Sequence, residues 1–453
     1  MKFRIPVIFL IFIVASIAAA QPENTLPIKE YTLKNGLKVL FYEEHKAPVA
    51  TFQVWYRCGS TGELPGKTGL AHMLEHMMFK VTHKVKPKEF SRIVQRKGGV
   101  DNAYTSTDVT VFHENFASDR LDTSLELESD RMHNLVLLDK EFMPEKKVVM
   151  EERRWRLDDN PVQLTIEEMM AAAFHSHPYH SPVIGWMEDL QNLTIDDVKD
   201  WYRQHYAPNR AFIVIAGDVE PEKYIQKVRK YFEDIPAIPY KAKPRIVEPP
   251  QRGERRVWLK KEAKLPFVFA GYHVPNLTDP DSYPLEVLAA ILSGGKSSRL
   301  NQSLVYGQQI ASFAGGEYDR VSLDPGLFYL YAEALPGTPT EKIEQALYDE
   351  IEKLKKEKVP EQEFQKVKNQ LEAGFIREQD SVFSLAGILG DYEACSSWRD
   401  WQKYLPGVLA VTAADVQRVA QKYLIQDNRT VGILIPVSKP GQGGQAQTPG
   451  EQD

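Results

Sequence analysis

The chain has 453 residues, 43% hydrophobic and 26% charged, a globular composition that excludes a disordered, collagen-like or polytopic membrane protein. The 56 basic and 62 acidic residues leave a net charge of −6. No Lys/Arg-rich run of the kind that tracks phosphates is present, so no nucleic-acid partner is expected.

Residues 1–20 place Lys2 and Arg4 before an apolar run that ends in Ala18-Ala19-Ala20. That order reads as a secretory signal peptide cleaved before Gln21. As a membrane span the run is short. The expectation is an exported, soluble protein, periplasmic in a bacterium, with no stable membrane anchor after cleavage. Two cysteines, Cys58 and Cys395, are too few for a disulfide framework or a cysteine zinc site, and a bridge between them stays open.

From residue 28 to 57 apolar and polar residues alternate around Asn35-Gly36, which predicts a hairpin opening a sheet. Residues 70–79 predict an apolar helix. Residues 100–113, rich in Thr and Val, predict a strand. Residues 121–137 have helical period. A further helix is expected to begin near Pro144, a favoured first-turn residue, and to stop before Asp158-Asp159-Asn160-Pro161. Residues 211–216 form a buried strand. Strands and helices mix without strict alternation, so the fold class is α+β.

Residues 235–256 hold five prolines and predict a linker between an N-terminal lobe, 21–234, and a C-terminal lobe, 257–437. The tail, 438–453, is of low complexity and expected to be disordered. The two lobes also look related. Thr194-x-x-Asp197-Val198 opens a helix that leads through Asn209-Arg210 into an apolar strand. Thr412-x-x-Asp415-Val416 does the same through Asn428-Arg429. A duplication is the better explanation.

The first apolar helix contains His72-Met73-Leu74-Glu75-His76. Positions four apart share a helix face, so His72 and His76 can offer both imidazoles to one ion. Glu75 lies beside them, placed to take a proton from a water at that ion. This is the thermolysin type of zinc site with its short motif reversed. The plainer alternative, an amphipathic helix with a polar edge, is costly for three ionisable groups. A catalytic zinc also needs a third protein ligand and an open position. The helix EKKVVMEERRWRLDD offers Glu145 and Glu152 on one face, with Glu151 turned about 100° away.

With these residues in view, the chain resembles the pitrilysin/insulinase family of zinc peptidases, the inverzincins. The similarity rests on GLAHMLEHMMFK, GGVDNAYTSTDVTVFHE, VVMEERRWRLDDNP, HPYHSPVIGWMEDL and YAPNRAFIVIAGDV. It implies two homologous α/β-sandwich lobes that form half of a clamshell chamber. It implies Zn2+ held by His72, His76 and Glu152, with Glu145 supporting the site from behind and Glu75 as general base. Glu151 remains the rival ligand. The implied activity is hydrolysis of peptides or unfolded polypeptides by metal-activated water. Asn102 and Ala103 are implied to lie on an edge strand to which the substrate adds. From the residues alone, Asn102 could be only a turn residue after Gly98-Gly99. His175, His177 and His180 read as a surface loop in preference to a second metal cluster.

Ten of the eleven histidines precede the linker, and PLEVLAAILSGG carries no His-x-x-Glu-His. The second lobe is therefore expected to be a wall without metal. By the resemblance it should carry an Arg and a Tyr that grip the substrate backbone. Val305 and Ser312 stand in those places. Arg299 and Tyr306 have the right spacing but fall one step too early. The expected partner is a homologous subunit that supplies the pair. The rivals are a non-catalytic zinc-binding scaffold subunit and a zinc-storage or sensing protein.

Overall fold

The computed structural model describes residues 26–241 and 244–437, and the expected signal peptide and tail lie outside them. β1 (Ile28–Thr32) and β2 (Lys38–Glu43) form the expected hairpin. Gly36 N–H donates to Leu33 O at 3.0 Å, and Gly36 sits at φ +88°, where a side chain would be strained. β3 (Val49–Tyr56), α1 (Leu70–Met77) and α2 (Phe90–Arg96) follow. The strand expected over 100–113 is a hairpin of β4 (Val100–Thr105) and β5 (Thr110–Ala117). Ser106 Oγ accepts from the Asp108 and Val109 N–H groups and turns the chain between them.

Next come α3 (Asp122–Asn134) and α4 (Asp139–Arg153). α4 begins well ahead of Pro144, the expected start. Leu138 is extended, and Asp139 and Glu141 occupy the first turn, where acids favour the helix dipole. Pro144 lies inside the helix and forgoes one backbone bond. α5 (Pro161–Ala173), α6 (Met187–Asn192), α7 (Ile195–His205), β6 (Ala211–Gly217) and α8 (Pro221–Phe232) complete the first half. The second half runs β7 (Arg255–Glu262), β8 (Phe267–Val274), α9 (Ser282–Ser293), β9 (Ala311–Tyr318) and β10 (Gly326–Ala334). It ends with α10 (Thr340–Lys356), α11 (Glu361–Glu378), α12 (Val382–Cys395), α13 (Tyr404–Ala410), α14 (Ala413–Tyr423) and β11 (Arg429–Val437).

The strand orders are β1-β2-β6-β3-β5-β4 and β7-β11-β8-β10-β9. Leaving out β1, they are one topology used twice. In each, a parallel pair (β2 with β6, β7 with β11) is followed by antiparallel neighbours in the same sequence. α7 and α14 each open with a reciprocal capping box, Thr194 with Asp197 and Thr412 with Asp415.

The halves also trade a helix. One face of the first sheet is covered by its own helices, but the other packs Trp55, Phe212 and Leu40 against Leu385, Ala386 and Leu389 of α12. One face of the second sheet packs Phe267, Phe269 and Leu434 against Met169 and Ala173 of α5. Gly390 marks how closely α12 approaches, because a Cβ there would lie 2.1 Å from the Trp55 indole. Trp55 is fully buried and cannot swing away. Gly390→Ala should therefore lower unfolding stability by about 1–3 kcal/mol, despite the better helix propensity of Ala. Denaturant titration of the two proteins reads this directly.

Candidate active site

α1 is short, and its placement is set by contacts distant in sequence. No side chain of its own caps its N-terminus. Glu63 does so from the preceding loop, accepting from Gly69 N–H at 2.9 Å and from Ala71 N–H at 2.7 Å. Burial pushes the Glu63 carboxyl up to about 8, against the pull of these hydrogen bonds. Gly69 packs on Gly185 so tightly that a Cβ on it would lie 2.4 Å from Ile184 O.

The apolar side of α1 buries Met73, Leu74 and Met77, which turns His72, Glu75 and His76 into a cleft of ≈ 910 Å³. α4 supplies the opposite wall. His76 Nε2 lies 3.4 Å and His72 Nε2 3.9 Å from Glu152 Oε2. The three ligand atoms fall within 4.8 Å of one another. His76 Nδ1 meets Glu145 Oε1 at 2.9 Å, and Lys80 pairs with the other Glu145 oxygen. Glu151, the rival ligand, points outward and pairs with Arg154. Its side chain is 71% exposed.

Glu75 Oε2 accepts from Thr105 Oγ1 at 2.5 Å, which ties the end of β4 to α1. Burial raises the Glu75 carboxyl above its ordinary range, and the Thr105 bond opposes that. Asn102 and Ala103 line the same cleft on β4, an edge strand, and Asn102 Oδ1 accepts from Ala103 N–H at 2.9 Å. His177 belongs elsewhere: its Nε2 pairs with Asp324 Oδ2 at 3.3 Å, joining the two halves of the chain. Cys58 and Cys395 are both free thiols.

The two histidines titrate in opposite directions. His72 is pushed down to about 4 by burial and then by the neighbouring His76. For His76 burial also opposes the charge, but hydrogen bonds to Glu145 and Glu152 outweigh it and push the imidazole up to about 9. Below that pH the metal-free cluster holds a proton where an ion would bind. An incoming divalent ion at pH 7 should therefore displace about one proton. The apparent affinity should rise with pH and level off as His76 loses its charge. Calorimetric titration in buffers of different ionisation enthalpy counts the proton.

Sequence reasoning did not find Glu63, Thr105, Lys80 or Arg153. Arg153 is buried next to Glu152 and donates to Glu167 at 2.9 Å and to Gly185 O at 2.8 Å. Thr105 and Lys80 reach partners 30 and 65 residues away and Arg153 partners 14 and 32 away, while Glu63 caps from six and eight residues ahead, outside the spacing of a capping box.

Residues 38–186 match the family described as Insulinase (Peptidase family M16), and residues 192–371 match the Peptidase M16 inactive domain. Zinc protease PqqE of Helicobacter pylori is 36% identical over 424 residues, covering 92% of this chain and 95% of that protein. The chain belongs to peptidase family M16. The crystal structure of a protease from Helicobacter pylori has a TM-score of 0.88 at 35% identity, over 91% of this chain and 100% of that one. The Pseudomonas fluorescens structure of an M16 inactive domain shares the fold, with a TM-score of 0.83 at 17% identity over 91% and 98% of the two chains.

The second M16 lobe has a corresponding cavity without the His-x-x-Glu-His residues. A cavity of ≈ 580 Å³ lies between α9 and β9, where the first lobe has its cleft between α1 and β4. The lining residues correspond at one constant step along the chain. Glu286 stands for His72, Ala289 for Glu75 and Ala290 for His76. On the edge strand Gly316 stands for Asn102, and just past its end Asp319 stands for Thr105. Where the first lobe has the candidate base and one imidazole, the second has methyl groups in a corresponding frame.

Proposed function

We propose that this chain is an exported zinc peptidase that cleaves peptides or unfolded polypeptides, and that a homologous subunit completes its chamber. The reading is carried by the convergence of His72, His76 and Glu152 on one point, with Glu75 beside them. Two imidazoles and a carboxylate suit Zn2+. Glu145 engages His76 Nδ1, which leaves Nε2 for the ion. Zinc held by His72, His76 and Glu152 would supply a Lewis acid that polarises a scissile carbonyl and acidifies water. Glu75 takes the proton of the attacking water and returns it to the leaving amine. Thr105 keeps that carboxylate aimed. The free edge of β4 lies along the cleft, where an extended peptide can add as a further strand and present its carbonyl.

The second lobe supports the need for a partner. Val305 packs half-buried against the second core, and Ser312 bonds to Glu333 at 2.7 Å. Neither can provide a cationic fork or a phenol. Arg299 is engaged with Glu363 at 2.9 and 2.8 Å, so the fallback grip is already committed. The periplasmic protease PqqL of Escherichia coli shares the fold, with a TM-score of 0.77 at 16% identity, and this chain spans only 50% of it. The match takes in 95% of this chain, so the longer protein has room for a second unit of this size. Purified alone and loaded with zinc, the chain should cleave unstructured peptides weakly. A homologous chain bearing the Arg/Tyr pair should raise the rate by about tenfold or more. Strong cleavage by the lone chain, unchanged by Arg299→Ala and Tyr306→Phe, would exclude the partner.

A further inference from the structure

Glu152 divides its two oxygens between different neighbours. Oε2 faces the imidazoles of His72 and His76. Oε1 pairs with Arg156 Nη1 at 3.0 Å. The two residues are four apart, a spacing that brings them together on a helix, and the helix is irregular beside them: α4 ends at Arg153, and residues Arg154–Asp158 form a single π turn. Such turns inside helices recur at functional sites. Arg153 pins the backbone beside Glu152 from the buried side, through Glu167 and the Gly185 carbonyl. Arg156 holds the carboxylate from the solvent side, where it lines the cleft.

The ordinary reading is a weakly stabilising helical surface pair. Arg154 with Glu151 is such a pair, and both partners are well exposed. Glu152 differs. The Arg156 side chain is 61% exposed, but the Glu152 side chain is only 16% exposed and its second oxygen is aimed at two imidazoles. A carboxylate can bind an ion through one oxygen or two. A catalytic centre with three protein ligands works only if a position stays open.

We infer that Arg156 is a positioning residue that keeps Glu152 a one-oxygen ligand. With Oε1 paired to the guanidinium, only Oε2 is presented between the imidazoles, and the neighbouring position stays free. This rests on the zinc reading above. Arg156 touches no reacting atom in this role. It acts through the carboxylate it holds.

Replacing zinc with Co2+ makes the number of ligands visible, because four-coordinate Co2+ absorbs visible light more strongly than five-coordinate Co2+. The test compares wild type, Arg156→Ala and Arg156→Lys, each loaded with Co2+, together with zinc retention against a chelator. In Arg156→Ala the freed Oε1 should close onto the ion, so absorption should fall about two-fold or more while zinc is kept as tightly or more so. Arg156→Lys, which offers a point charge in place of a fork, should lie between the two. A merely structural role would loosen the metal. Arg156→Ala with the wild-type spectrum, or with zinc lost, would overturn the inference. A wild type that binds neither Co2+ nor zinc would overturn the zinc reading itself.

Discussion

Glu75→Gln should leave the metal in place and remove most turnover, on the order of 10²-fold or more in kcat. Glu75 lies on the same face as His72 and His76, but its carboxylate is held by Thr105, and the convergent group is His72, His76 and Glu152. Glutamine keeps the shape and can still take the Thr105 hydrogen bond. It cannot accept the proton of an attacking water. Metal analysis and peptide turnover on the same preparation separate binding from chemistry. A zinc-loaded Glu75→Gln protein that cleaves peptides normally would dismiss Glu75 as the base.

The second large effect concerns the metal itself. Glu152→Gln should weaken zinc binding by roughly 100-fold or more, because an anionic ligand becomes a neutral one. Glu145→Gln should cost less, about 10–100-fold, since Glu145 acts through His76 Nδ1. Glu151→Gln should cost nothing measurable, because that side chain points to solvent. Competition with a chromogenic chelator ranks the three. Zinc loss in Glu151→Gln with retention in Glu152→Gln would reverse the assignment of the third ligand.

What the sequence made legible was local. The i, i+4 histidine pair follows from helix geometry alone, and the reversed motif drew attention to one helix among many. The repeat was visible because capping boxes and Asn-Arg pairs are short motifs, and the matched sheet topologies agree with it. Where tertiary context decides, local rules misled. Pro144 read as a helix start, yet Asp139 and Glu141 carry the first turn and the proline is tolerated within. The Thr-rich run from 100 to 113 read as one strand because alternation continues through the turn that Ser106 makes. Thr105 and Arg153 find their partners through the fold, and Glu63 caps α1 from six and eight residues ahead, a spacing outside the capping box, so none of them had a motif to betray it. The correspondence of Glu286, Ala289 and Ala290 with His72, Glu75 and His76 emerged only when two cavities could be compared.

The traded helices bear on whether the halves can stand apart. A half-length chain with this topology would expose Trp55 and Phe212, or Phe267 and Phe269, as a bare apolar sheet face. Each half therefore completes the other's core: α12 covers the first sheet and α5 the second. The second lobe, whose cavity carries Ala289 and Ala290 in place of a base and an imidazole, is still needed to shelter the lobe that holds the candidate site.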